Sequence, residues 1–144
     1  MEQIDKYLRE HDIKPSLQRI AIMEYLQSHK THPTADEIFN ALYPSIPTLS
    51  KTTVYNTLKI FVEHNAALCL TIDDKTAHFD GDTSFHAHFF CLGCGCIYDI
   101  PIADISNVLK TEIDDLTITE THIYYKGYCK KCLEEKLKKQ KEIN

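Results

Sequence analysis

No stretch of this 144-residue chain stays apolar for the roughly 20 residues that a membrane-spanning helix needs, which excludes a helical span. The opening residues, MEQIDKYLRE, are charged and lack the apolar centre of a signal peptide, so the expectation is a cytoplasmic protein. Internal repeats and low-complexity stretches are also missing, and only the closing KKQKEIN reads as a solvated tail. A surplus of basic charge, the usual footprint of nucleic-acid binding, is absent from the whole: the net charge is −5. That charge is uneven, however. Residues 1–65 hold 7 Lys/Arg against 8 Asp/Glu, whereas residues 66–144 hold 9 against 13, so a local basic surface in the first half stays open. What the chain does have is cysteine, six of them. In a reducing compartment such a set reads as metal binding or redox chemistry rather than a disulfide framework. The length suits one ordinary domain or two small ones, and a 43% hydrophobic content is normal for a globular protein.

The first half is helical in pattern. MEQIDKYLRE places Ile4 and Leu8 four apart, a short amphipathic turn or two. After Pro15, SLQRIAIMEYLQSH carries an apolar face of Ile20, Ile22, Met23 and Leu26. Thr34 with Glu37 three residues on is a capping-box signature; Ile38 and Leu42 follow on one face, and Pro44 ends the helix. Ser50 then caps a helix in which Val54, Leu58 and Phe61 share one face. Thr52, Asn56 and Lys59 lie opposite, with Lys51 and Tyr55 on the flanks. Beyond His64 the period shortens, and AALCLTI and KTAHFD read as two strands around Asp73 and Asp74. Three helices followed by a hairpin is the order of a winged helix-turn-helix, whose third helix would read DNA. A plain helical bundle with a polar solvent face fits the same pattern. From Phe85 onward the expectation is strand, knuckle, strand, helix (IADISNVLKTEI), strand and a polar closing helix, a small α/β domain whose exposed sheet would suit dimerisation. The fold class is thus α+β, with a winged-helix DNA-binding domain over 1–82 and an α/β dimerisation and metal-binding domain over 83–144.

Cys91-x-x-Cys94 and Cys129-x-x-Cys132 are separated by 34 residues, enough for a strand, helix and strand that return the chain on itself. CxxC spacing lets two thiolates address one centre, and Gly93 and Gly95 relax the backbone there. Four thiolates make a closed tetrahedral zinc site, and a closed site is structural. Thiol–disulfide chemistry is the rival reading of these pairs. Cys96 and Cys69 read as packed or spare thiols. His86 and His88, two apart, share a face of a strand. With Asp80 and Asp99 nearby in sequence, and His32 at the start of a first-half helix, they make a mixed nitrogen and oxygen set suited to Fe²⁺ or Mn²⁺, and also to Zn²⁺.

The stretches KPSLQRIAIMEYL, HPTADEIF, TTVYNTLKIF, HFD, HAHFFCLGCG, CIYDI and GYCKKC together resemble the ferric uptake regulator family of metal-dependent bacterial repressors, over nearly the whole chain. The resemblance implies a homodimer that binds double-stranded DNA, with structural zinc on Cys91, Cys94, Cys129 and Cys132. It implies a regulatory metal on His32, Asp80, His86, His88 and Asp99, bridging the two domains. Aspartate at both 80 and 99 resembles the peroxide-responsive branch, where the iron-uptake branch usually has glutamate; the zinc-uptake branch is a further alternative. A third metal site known in the iron-uptake branch meets Phe85, Ala87 and Thr121 here, which lack the donors, and is expected to be absent.

On this reading Lys51, Lys59 and Arg19 address phosphates, and Thr52, Tyr55 and Asn56 present groups to bases or sugars of a palindromic operator. The implied chemistry is oxidation of a ligand histidine by peroxide with Fe²⁺ bound. That is a sensor consumed in the act, so no enzyme with turnover is expected. A metal-dependent hydrolase would need a general base beside an open metal position, and nothing in the sequence resembles one. A dithiol oxidoreductase would show thiols that titrate without a chelator.

Overall fold

The computed structural model describes residues 2–143, with side chains to residue 142. The chain divides into two compact units, Met1–Thr83 and Ser84–Asn144.

The first unit is built from helices α1 (Glu2–Glu10), α2 (Leu17–Ser28), α3 (Ala35–Leu42) and α4 (Lys51–Glu63), followed by a two-stranded antiparallel hairpin of β1 (Leu68–Leu70) and β2 (His78–Asp80). Three helices begin on a hydroxyl cap. Ser16 Oγ accepts from the Arg19 amide, Thr34 Oγ1 from the Glu37 amide and Ser50 Oγ from the Thr53 amide, at 3.0–3.1 Å. Each cap satisfies one of the amides a helix start leaves open. Helices α1 and α4 end alike: the Ile13 amide reaches back to the Leu8 carbonyl and the Ala66 amide to that of Phe61, with Asp12 and Asn65 in the left-handed region. α1 is a full nine-residue helix, longer than its sequence pattern alone predicts, because burial of Ile4 and Leu8 supports it. The core is the expected one. Ile22, Met23, Ile38, Val54, Leu58 and Phe61 are fully buried, and Leu70, Ile72 and Phe79 seat the hairpin against the protein interior.

In the second unit β3 (Ala87–Cys91) is the central strand, antiparallel to β4 (Ile97–Ile100) and parallel to β7 (Tyr124–Gly127). A separate small hairpin joins β5 (Glu112–Ile113) to β6 (Leu116–Thr117). Its turn residues Asp114 and Asp115 have φ of 47° and 66°, the primed-turn conformation that short acidic side chains tolerate. Helix α5 (Lys130–Ile143) closes the chain.

One expected element differs. The helix read in IADISNVLKTEI is a single 3₁₀ turn, Ile105–Asn107, followed by β5. Two physical causes are visible. The Asp104 carboxylate is taken by the Ser106 hydroxyl at 2.7 Å and the Asn107 amide at 2.6 Å instead of capping backbone. The apolar face that would have fixed a helix is exposed at Ile105, Leu109 and Ile113, and helix stability comes mostly from packing such a face. Among the described residues, no helix is long and apolar enough to cross a membrane.

Candidate metal centres and nucleic-acid face

The thiol cluster is assembled by the sheet of the second unit. β3 ends at buried Cys91, the chain turns through Gly93 and Gly95, and the parallel strand β7 delivers Cys129 and the first turn of α5 alongside. The Leu92 amide donates to the Gly127 carbonyl at 2.7 Å and the Gly95 amide to the Cys91 carbonyl at 2.8 Å, which fixes the knuckle. The sulfurs of Cys91, Cys94, Cys129 and Cys132 all lie within 4.8 Å of one another. Metal–sulfur bonds of about 2.3 Å in a tetrahedron set sulfurs about 3.8 Å apart, so the cluster is of the size that zinc takes. Gly93 is required at its place: a Cβ there would stand 2.6 Å from Cys132 Cβ and 2.8 Å from its sulfur. Backbone N–H groups of Cys129, Cys94 and Gly93 push the Cys91 thiol down to about 6. The thiolate that a metal needs is therefore already favoured at one corner. Cys132 is pushed up by its hydrogen bond with Cys129 and by burial. Cys96 is exposed just beyond the knuckle, and Cys69 is half-buried in β1.

The histidine and aspartate residues form one group in each unit. In the second unit His88 on β3 is the cross-strand partner of Asp99 on β4, and the two face each other because paired residues share a sheet face. His88 Nε2 stands 3.4 Å from Asp99 Oδ1, and His86 Nε2 stands 2.9 Å from the same oxygen. His86 Nδ1 donates to the Ser84 carbonyl at 2.7 Å, which in the neutral ring leaves Nε2 as the nitrogen that carries the lone pair. In the first unit His32 Nε2 stands 3.4 Å from Asp80 Oδ2, with both side chains buried. Asp80 Oδ1 meanwhile accepts from the Asp82 amide at 2.9 Å. His32 has φ of 57°, a backbone state that costs a non-glycine residue about 1–3 kcal/mol and is concentrated at functional sites. Imidazole and carboxylate sets of this kind fit Fe²⁺, Mn²⁺ or Zn²⁺, and the sulfur set fits Zn²⁺.

The outward face of α4 carries exposed Thr52, Tyr55, Asn56 and Lys59, with Val54, Leu58 and Phe61 buried behind them. Lys51 lies 4.0 Å from Asp36 Oδ1 and over the Phe39 ring at 5.7 Å. Arg19 donates to the Lys14 carbonyl at 2.8 Å. Two side chains with marked geometry carry no role in the sequence reading: His78, which bonds the His32 carbonyl, and Tyr43, exposed at the end of α3. The spacing of His78 and Asp80 on one strand face is the signal that could have flagged the former.

Helices closed by a β-hairpin, followed by a small sheet that gathers four thiols, define a winged-helix metalloregulator. The model of the ferric uptake regulator family matches residues 10–126, and the chain belongs to that family. It is 37% identical over 137 residues to the peroxide-responsive repressor PerR of Staphylococcus epidermidis, covering 94% of this chain and 91% of that one. PerR from Streptococcus pyogenes, solved in a study of peroxide sensing and gene regulation, matches at a TM-score of 0.52 and 32% identity, with 91% of each chain covered. The ferric uptake regulator of Helicobacter pylori, described as having three functional metal-binding sites, shares the fold at a TM-score of 0.71 and 22% identity, covering 92% of this chain and 90% of that one.

Proposed function

We propose that the protein is a metal-dependent, DNA-binding transcriptional repressor that responds to peroxide. It acts in the cytoplasm as a homodimer on a palindromic operator. The observation that carries this reading is the convergence of His86 and His88 on Asp99, in a chain with aspartate at both 80 and 99 and 37% identity to a peroxide-responsive repressor.

Cys91, Cys94, Cys129 and Cys132 would hold structural zinc, which leaves no position for a substrate. His32 and Asp80 from one unit, with His86, His88 and Asp99 from the other, would hold one regulatory ion, Fe²⁺ or Mn²⁺, with Zn²⁺ as a substitute. Ligands contributed by both units make one arrangement of the chain the better binder, and binding shifts the population towards it. The α4 face then addresses the major groove, Tyr55, Asn56 and Thr52 towards bases and sugars, Lys51, Lys59 and Arg19 towards phosphates. Ferrous iron held by these residues would supply the redox chemistry by which peroxide, reduced by two electrons overall to water, leaves one oxygen on a ligand histidine. An oxidised His32 or His86 is a poorer ligand, so the DNA-binding arrangement loses its support.

Mass spectrometry of the iron-loaded protein after peroxide tests the reading. Gain of one oxygen on His32 or His86, absent from the manganese-loaded protein, is the expected result. Unmodified histidines alongside full release from DNA would refute it.

A further inference from the structure

A hydrogen-bonded chain in the helical unit remains unused by the function proposed above. His78 opens β2 two residues before Asp80, so the two side chains emerge on the same side of the strand. Its Nδ1 lies 2.8 Å from the carbonyl oxygen of His32, and its Nε2 lies 3.1 Å from Asp73 Oδ2. The Lys75 amide at 3.0 Å and then His78 hold the Asp73 carboxyl below its ordinary range, so Asp73 is a carboxylate. A backbone carbonyl only accepts, so Nδ1 is the nitrogen that donates to His32. One residue further on, the Phe79 amide donates to the Pro33 carbonyl at 2.9 Å. The His32–Pro33 segment is thus fastened to β2 twice, once by a side chain and once by the backbone. Between these fastenings His32 keeps a φ of 57°, which a histidine rarely adopts unaided, and its Nε2 faces Asp80 Oδ2 at 3.4 Å.

We propose that His78, braced by Asp73, is a positioning residue for the regulatory metal: it grips the His32 carbonyl and so aims the His32 imidazole at the place it shares with Asp80. The inference rests on the reading of His32 and Asp80 as ligands. Groups behind a metal ligand act by fixing its orientation before the ion arrives, and their loss typically weakens metal binding by about 10–100-fold.

The test is a Mn²⁺ titration of the zinc-loaded full chain, read from the paramagnetic resonance signal of free Mn²⁺. The variants are H78A, H78N, H32A and the H32A/H78A pair. H78A is expected to weaken binding by about 10–100-fold with zinc content and dimer unchanged. H78N sets an amide donor where the imidazole Nδ1 was, and most of the affinity should return. In the H32A background H78A should add nothing, because it acts only through His32. The same loss in both backgrounds, or native affinity in H78A where H32A is weakened, overturns the positioning role alone. Native affinity in H32A overturns the ligand reading and this inference with it. Should H78A fail to fold, H78Q replaces it: its amide matches Nε2 and leaves the His32 carbonyl without that donor, and the same outcomes decide.

Discussion

Gly93 shows how closely the thiol cluster constrains its own backbone. A methyl group there meets Cys132 Cβ at 2.6 Å, with nowhere for either backbone to yield without moving a sulfur. Gly93→Ala is expected to lose zinc from the folded protein, measured by metal analysis after gel filtration; full zinc content would show that the knuckle can re-form around a side chain. Asp99 Oδ1 lies 2.9 and 3.4 Å from the Nε2 atoms of two imidazoles, and a longer side chain shifts that oxygen outward. Asp99→Glu should therefore blunt histidine oxidation by peroxide while Mn²⁺ still binds. At this scale the sequence was most legible where partners are side chains at characteristic spacing, as with the two CxxC pairs and His86-x-His88. His78 was only half legible: its spacing to Asp80 sets both on one strand face, but one of its hydrogen-bond partners is a backbone carbonyl 46 residues away, which no spacing rule registers.

At the scale of the element, the helices of the first unit were readable because cap, period and burial agree. Thr34 and Ser50 stand as the caps the sequence predicts, and Val54, Leu58 and Phe61 are buried as their spacing requires. Ser50→Ala removes the acceptor of the Thr53 amide at the start of α4 and should cost about 1 kcal/mol, seen as a lowered urea midpoint with unchanged slope. On the exposed face of α4, Lys59→Ala should reduce the slope of log affinity for duplex DNA against log salt by about one unit, the signature of one lost phosphate contact. An unchanged slope would remove Lys59 from the interface. The segment from Ile102 to Ile113 misled because amphipathic spacing specifies a helix only when something covers its apolar face, and here Asp104 binds neighbouring side chains while Ile105 and Leu109 stay exposed.

At the scale of the molecule, the two units differ in how they hold themselves together. The first buries a continuous apolar core. The second leaves Tyr98, Leu116, Tyr125, Leu133 and Leu137 exposed in the single chain, which suits a face covered by a second copy, and gathers four of its five cysteines at the end of β3. Its folding should accordingly depend on zinc. Stripping zinc, or Cys129→Ser, is expected to produce a monomer with a melted second unit and helices preserved in the first, followed by sedimentation and circular dichroism. A stable metal-free dimer would contradict structural zinc. The change of hydrophobic period after His64 made the hairpin that closes the first unit legible.

On the function proposed above, one regulatory ion is held by residues of both units. The most direct measurement is Mn²⁺ affinity of the zinc-loaded protein in H32A, H86A and the H32A/H86A double variant. Shared ligation predicts that each single change removes most of the affinity and that the double change costs much less than the sum of the two. Native affinity in H32A beside a large loss in H86A, with fully additive effects in the pair, would mean that the second unit binds the ion alone and would contradict the claim.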